Sequence, residues 1–354
     1  MQSLKKANLK NKRVIVRCDF NVPLSKKGAI LDDYKIKETL PTIEYLLSRK
    51  AKVILISHLG RPEAKDNPKK KDKKLSLKPV ALYLQRGLKN KVVFISDCVG
   101  DKTREEVMKL KPGQAALLEN VRFHKEEEEN KDKFAKELSR LGEIYVNDAF
   151  GASHRSHASI TGITKYLPSF AGLLLEKEIR VLRKMMKSPQ KPLVAIVGGA
   201  KVETKAKLIN KLSEIADFVL VGGLIAREIK EKDIYLNYPR KIVAPIDETR
   251  DGKEIGEKTV SLFTEKILKA KTVFFNGVLG QTEDAGCRKG TEAILKSIIK
   301  SGAFSVVGGG ETVEFINSLG LSLKFNHLST GGGAMISYLA GERLPGIAAL
   351  DKWK

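Results

Sequence analysis

The 354-residue chain carries 65 Lys+Arg against 42 Asp+Glu, a formal net charge of +23, with 42% hydrophobic and 6% aromatic residues. That length predicts two domains, each able to bury a core, and that composition an ordinary soluble α/β protein whose basic surplus suits an anionic small substrate, a nucleic-acid surface or mere solubility. No apolar run approaches membrane-spanning length, Met1–Arg13 lacks a signal peptide's apolar core, and the scattered Cys18, Cys98 and Cys287 suit free thiols in a reducing cytoplasm.

In chain order, Arg13–Asp19 (RVIVRCD) alternates toward a strand and runs into Phe20-Asn21-Val22-Pro23. Ile36–Leu47 has helical spacing, and Lys52–Ile56 reads as a strand ending in Ser57-His58-Leu59-Gly60-Arg61-Pro62. Lys69–Lys74 (KKKDKK) is expected to be a solvated loop, because no aromatic platform or reading helix accompanies it. Lys91–Ile95 and Ala115–Leu118 are further strands, the second leading into Glu119-Asn120-Val121-Arg122-Phe123. Phe134–Leu141 is a helix, and Ile144–Val146 opens onto a stretch ending in Ser153-His154-Arg155. Strand–helix alternation predicts a parallel sheet. Its strand ends carry Asp19, Asn21, His58, Arg61, Arg122, His154 and Arg155, a basic pocket for a small acid bearing a carboxylate or phosphate. The plainer alternative is a set of surface arginines, against which three at equivalent strand ends weigh.

Gly172–Lys187 places Leu175, Ile179, Leu182 and Met186 along one stripe and closes at Ser188-Pro189, a helix expected to act as a hinge between two sheets. Leu193–Val197 then reads as a buried strand ending in Gly198-Gly199, followed by a helix over Ala200–Lys211. Lys201 and Lys205 lie four apart at that helix's start, where two cations oppose the dipole unless an anion sits between them. By itself this stretch is equally a glycine turn with two solvated lysines. The pattern recurs, however. Val219–Val221 runs into Gly222-Gly223, Val273–Phe275 into Asn276-Gly277, Phe304–Val307 into Gly308–Gly310, and His327-Leu328 into Ser329-Thr330-Gly331–Gly333. Strands that all end in glycine crowd backbone around a ligand at their carboxyl ends, and a polyphosphate fits that edge best.

No GxxxxGK[ST], GxGxxG, CxxC, HExxH or nucleophile elbow is present, and His154 and His157 lack a third ligand. An anion pocket facing a polyphosphate site across a hinge is the layout for direct phosphoryl transfer, with water excluded by closure.

The stretches VRCDFNVP (16–23), SHLGRP (57–62), LLENVRFH (117–124), YVNDAFGASHRSHAS (145–159), GLLLEKEI (172–179), VGGAKVETK (197–205), the glycine turn with Thr312, and STGGGA (329–334) resemble the phosphoglycerate kinase family along nearly the whole chain. The resemblance implies an α/β fold of two doubly wound parallel-sheet domains joined by a hinge helix. Residues 1–170 would form the acid-substrate domain, completed by 336–354 through the returning Leu344-Pro345-Gly346 segment. Residues 171–187 would be the hinge and 188–335 the nucleotide domain. It implies a cytoplasmic glycolytic enzyme, monomeric by default, that moves a phosphoryl group between 1,3-bisphosphoglycerate and ADP with Mg2+. No membrane or specific nucleic-acid partner is expected. Rival readings are a non-catalytic descendant that only binds these ligands, and a basic nucleic-acid-binding protein reusing the fold.

Carried over by motif, Asp19 and Asn21 would hold the glycerate hydroxyl and carboxyl end, and His58, Arg61, Arg122 and Arg155 the substrate phosphate. Lys201 and Lys205 would meet the nucleotide phosphates, with Asn276 beside them and Glu283 on the ribose. The turns Gly308-Gly309-Gly310-Glu311-Thr312 and Ser329–Gly333, with Gly331 and Gly332, would cradle phosphates by backbone N–H. Departures cluster at the chemistry. Lys35 stands where the family has an arginine touching the transferring group, and it is expected to share catalysis with Lys205. Glu311 stands for an aspartate that binds metal, and it is expected to ligate Mg2+. Thr204 replaces an aspartate, Leu224 replaces a glycine lining the base pocket, Val278 and Thr282 depart within the NGPxGxFE-like stretch, and Ala226–Gly256 looks trimmed.

Overall fold

The computed structural model describes residues 1–62, 72–88, 92–200 and 202–353. The chain packs as two compact units, Met1–Lys177 with Arg343–Lys354, and Glu178–Glu342. Among the described residues no helix is long and apolar enough to cross a membrane.

The first unit runs β1 (Arg13–Arg17), α1 (Tyr34–Ser48), β2 (Lys52–Ile56), α2 (Lys78–Gly87), β3 (Val92–Ile95), α3 (Asp101–Met108), β4 (Ala115–Leu118), α4 (Lys125–Glu128), α5 (Asp132–Ser139), β5 (Ile144–Asn147) and β6 (Ser169–Ala171). Helix α6 (Leu173–Lys187) starts in it and ends in the second unit. The second unit continues with β7 (Leu193–Val197), α7 (Val202–Ile215), β8 (Phe218–Val221), α8 (Gly223–Glu231), β9 (Ile242–Val243), α9 (Glu257–Leu268), β10 (Thr272–Asn276), α10 (Lys289–Ser301), β11 (Phe304–Gly308), α11 (Gly310–Ser318), β12 (His327–Leu328) and α12 (Gly333–Leu339). A last short helix, α13 (Pro345–Ala348), belongs to the first unit, where Gly346 N donates to Ser153 O at 2.9 Å.

Each unit holds a six-stranded sheet, β3-β4-β2-β1-β5-β6 in the first and β12-β11-β10-β7-β8-β9 in the second. Every pair is parallel. The all-apolar β7 (LVAIV) is buried throughout, as a strand covered on both faces must be. Helix α1 buries Ile36, Thr39, Ile43, Leu46 and Leu47 at helical spacing. In the first sheet the strand order reverses between β1 and β5, and in the second between β7 and β10. Open parallel sheets bind ligands outside the carboxyl ends of strands at such a reversal.

Where the structure differs from the sequence expectation, the reasons are local. Strands β6 and β9, of three and two residues, are too short to leave a period. Helix α7 begins at Val202, whose N–H donates to Glu228 Oε2 at 2.7 Å, and extends to Ile215. The buried face of α6 is Leu174, Leu175, Glu178, Leu182 and Met185, while Ile179 and Met186 are only half-buried. The face is turned because Glu178 is itself buried, accepting from His327 Nε2 at 2.8 Å and from Thr330 N at 2.6 Å. An apolar count cannot see a buried carboxylate. Lys69–Lys71, Lys91 and Lys201 lie outside the described residues.

The two central ends of the second sheet interlock through glycine. Gly198 N donates to Asn276 O at 2.9 Å and Gly199 N to Val278 O at 2.7 Å. A Cβ on Gly198 would overlap the carbonyl oxygens of Val278 and Gly277, and Gly277 itself holds φ +87°. Neither obstacle is a side chain that could swing away. Gly198→Ala should therefore lower the thermal unfolding midpoint through a loss of about 3 kcal/mol. A melt within a degree of the parent would refute this account of the turn.

Candidate functional site

The first sheet's carboxyl edge is built around Arg17, the last residue of β1, which is 1% exposed. Its Nε donates to Ser159 Oγ at 2.8 Å, and Ser159 N in turn donates to the buried Glu127 Oε2 at 2.8 Å. Its Nη2 lies 3.2 Å from His58 Nδ1. A guanidinium can only donate, so His58 Nδ1 accepts and the ring proton sits on Nε2. Burial first, and then the Arg17 charge, push the imidazole down to about 3, so it is a neutral donor near pH 7.

Asp19 lies two residues beyond β1 and is 5% exposed. Burial works to raise its pKa, but Lys35 and, more weakly, Arg17 hold it at about 2. Lys35, on the first turn of α1, places Nζ 3.0 Å from Asp19 Oδ2. Asn21 N donates to Asp19 Oδ1 at 3.3 Å, while Asn21 Oδ1 accepts from Gly60 N at 2.9 Å, which joins the β1 and β2 loops. Arg122 is buried, with Nη1 donating to Gly60 O at 2.7 Å. Its Nε forms an ion pair with Glu128 Oε1 at 3.1 Å, at an angle short of a hydrogen bond. Asn120 fixes that geometry, its Oδ1 accepting from Leu59 N and Arg122 N and its Nδ2 donating to Leu59 O and Leu75 O. Arg155 is bonded through Nε to His154 Nε2 at 3.2 Å, and burial and then the Arg61 charge lower its pKa. No carboxylate within ion-pair range of Arg61 or Arg155 is found among the described residues. Cations in excess of the nearby carboxylates, with Arg61 and Arg155 each disfavouring the other's charge, suit an anion. The structure thus gathers Asp19, Asn21, Lys35, His58, Arg61, Arg122 and Arg155 at one edge. Arg17 and Asn120, which position them, went unnoticed in the sequence; for Arg17 the available signal was a charged residue at the carboxyl end of the strand RVIVR.

The second sheet's edge uses backbone instead. Lys205, in the first turn of α7, is 7% exposed and donates to Asn276 Oδ1. Asn276 Nδ2 donates to Gly308 O at 2.8 Å, and Gly277 N to Thr312 Oγ1 at 3.0 Å, so the ends of β7, β10 and β11 are tied together. Burial lowers Lys205 to about 8, against the pull of the Glu311 carboxylate. Glu311 is exposed on the first turn of α11, capped by Gly309 at φ +108°. A cavity of about 250 Å³ opens beside this edge, with Gly199, Gly222, Leu224, Leu279, Glu283 and Glu311 among its walls. Lys205 and the Gly331-Gly332 turn are not among them. Arg227 pairs with Glu248 on the same lining, and Glu254, raised to about 6 by burial, accepts from Ile255 N at 3.1 Å. Sequence reading passed over both of these acids. The expected N–H cradle at Ser329–Gly333 needs correcting, because Thr330 N is committed to Glu178 and Gly331 N to Ser329 Oγ at 3.0 Å. Between α8 and α9 stand only a single 3-10 turn and the two-residue β9.

His58 yields a pH test. Its folded pKa lies below the unfolded value near 6.5, so stability present above about pH 6.5 is lost as pH falls toward 3, by at most roughly 5 kcal/mol. Asp19 adds a loss lower down, between about pH 4 and 2. Thermal midpoints of His58→Gln, whose amide can still accept from Arg17, should decline less steeply than the parent's between pH 6.5 and 4. Parallel curves would show that His58 carries no such burden.

The family model described as phosphoglycerate kinase matches residues 4–235 and 230–342. A phosphoglycerate kinase of Koribacter versatilis (strain Ellin345) is 44% identical, with 98% of each chain covered. That alignment spans 402 positions, more than this chain's 354 residues, so the relative carries segments this chain lacks. One of Dictyoglomus turgidum is 42% identical over 98% of each chain. The crystal structure of phosphoglycerate kinase from Pyrococcus horikoshii OT3 superposes with TM-score 0.87 at 33% identity, covering 99% of this chain and 98% of that one. With two all-parallel sheets, a cationic edge on the first and a glycine edge on the second, the chain belongs to the phosphoglycerate kinase family.

Proposed function

We propose that this phosphotransferase moves a phosphoryl group between 1,3-bisphosphoglycerate and ADP, giving 3-phosphoglycerate and ATP, with each part of the reaction assigned to named residues. The observation that carries the assignment is the Lys35–Asp19 pair at 3.0 Å, which sets the residue standing for the family arginine at the cationic edge. Asp19 and Asn21 hold the glycerate hydroxyl and carboxyl end, and His58 donates from Nε2. Arg61, Arg122 and Arg155 clamp the phosphate remote from the reaction. Asn276, Glu283 and the turn Gly308-Gly309-Gly310-Thr312 hold the nucleotide, with Lys205 at its phosphates.

An acyl phosphate is already activated, so the protein supplies position and charge more than a general base. As the group moves in line, charge spreads over its equatorial oxygens, and Lys35 and Lys205 stabilise it there. The exposed carboxylate of Glu311, near enough to Lys205 to raise its pKa, fits Mg2+, which keeps several waters and takes one or two carboxylates together with substrate phosphates. Bound there, Mg2+ would neutralise the nucleotide's phosphate charge. The protein is read as a cytoplasmic monomer acting on small molecules, without a specific nucleic-acid partner.

Lys35→Ala should lower kcat by about two orders of magnitude, roughly 3 kcal/mol, while the KM for 3-phosphoglycerate changes little. Lys35→Arg should retain activity. A coupled assay with 3-phosphoglycerate, Mg2+ and a panel of nucleotides reads both, and wild-type turnover in Lys35→Ala would remove it from the chemistry. Absence of turnover in the parent, with 3-phosphoglycerate still bound, would favour a binding protein. Because burial lowers Lys205 to about 8, kcat/KM for the nucleotide should fall as pH rises through that value. Lys205→Arg, which stays charged, should carry that limb to higher pH. An unshifted limb would mean another group titrates.

A further inference from the structure

We propose a divalent-metal site in the first unit, with Asp97, Cys98 and His124 as its protein ligands and zinc or a similar thiophilic ion as its occupant. Asp97 and Cys98 follow β3 and lead into α3, while His124 closes the 3-10 turn Val121–Phe123 after β4. These are neighbouring strands, paired Val92↔Ala115 through Ile95↔Leu118, so their carboxyl ends emerge side by side. One ligand atom from each of the three residues lies within 4.8 Å of the other two, and His124 Nε2 is 2.8 Å from Asp97 Oδ1. A point among atoms so spaced lies within about 2.8 Å of each, and zinc bonds to sulfur, nitrogen and carboxylate oxygen are about 2.0–2.3 Å. Side-chain rotation of less than an ångström closes the difference.

The chemistry of the donors selects the ion. A thiol, an imidazole and a carboxylate together suit zinc, whereas magnesium and calcium take oxygen alone. Exposure provides the way in: Cys98 is fully buried, while the side chains of His124 and Asp97 keep 19% and 40% of their surface. The thiol therefore forms the floor, and a water completes a tetrahedron from the open side. The imidazole is held by Phe134, with ring centroids 5.2 Å apart, and Asp97 Oδ1 also accepts from Cys98 N at 2.8 Å. A plain Asp–His ion pair needs no buried thiol beside it. Binding would deprotonate the thiol, replace the Asp97–His124 hydrogen bond with two metal bonds, and release a proton to solvent. It would also tie down the turn that bears Arg122.

The full chain, stripped with chelator and desalted, is titrated with Co2+ alone, without nucleotide. One Co2+ per chain should bind with a thiolate-to-cobalt charge-transfer band in the near ultraviolet, and Zn2+ should displace it. Cys98→Ser should lose the band, and His124→Gln should weaken binding about tenfold or more, each in protein whose circular dichroism matches the parent. Absence of the band in the parent, or its persistence in Cys98→Ser, overturns the proposal. If Cys98→Ser does not fold, Asp97→Asn serves in its place, with unaltered Co2+ affinity there counting against the site. Protection of Cys98 from alkylation by Zn2+ in the parent supports it, and an unchanged alkylation rate counts against it.

Discussion

A parallel sheet brings the carboxyl end of every strand to one edge, and both sites of this protein follow from that constraint. The order of strands parts to opposite sides between β1 and β5 in one unit and between β7 and β10 in the other. At those points successive loops part to opposite sides and leave a crevice that neither loop fills. The candidate site residues stand within a few positions of the strand ends, as Asp19 does after β1 and His58 after β2, and the glycine turn at Gly198 follows β7 in the same way.

The two edges are built from different materials. The first unit's edge is made of side chains whose charges are set by one another. Arg17 is the support for that arrangement: buried, it hands one hydrogen bond toward Ser159 and Glu127 and another to His58, which fixes the imidazole as a neutral donor. Asp19 stays ionised because Lys35 stands against it. Burying such charges is tolerable only when each has a partner. The second unit's edge is chiefly backbone, and there glycine is needed so that strand ends can approach one another, as Gly198 and Gly277 do. There burial lowers the Lys205 pKa and the Glu311 carboxylate pulls it back up.

Two of the departures that the family resemblance implies, at positions 35 and 311, keep the sign of charge while changing its shape. Lysine at position 35 retains the cation without the planar fork, and glutamate at 311 retains the carboxylate on a longer arm. The pairing of Lys35 with Asp19 indicates that an ammonium at this place is oriented by a neighbour, which compensates in part for the single direction in which it can offer its best hydrogen bond. Leu224, 42% exposed, narrows the cavity wall where a glycine would leave it open, and the Arg227–Glu248 pair adds charge to the same lining.

The sequence by itself determined the strand–helix alternation, the apolar strands such as Leu193–Val197, and the residue types gathered after them, because period, glycine and charge are properties of short stretches. It placed most of the strands that carry the sites to within a residue or two, and the residues of the cationic edge individually. What it could not supply was partnership between distant stretches. That Arg17 meets His58 and Ser159, that Asn120 braces both Leu59 and Arg122, and that Glu178 turns the face of α6 by reaching His327 and Thr330 are facts of the packed chain. So is the use of the Thr330 and Gly331 N–H groups inside the protein, which a glycine-rich stretch alone suggests are free for a ligand. The physical reason is the range of the interactions. Helix and strand preferences act between residues a few positions apart, whereas hydrogen bonding and desolvation of a buried charge depend on whichever atoms the folded chain brings within about 3 Å.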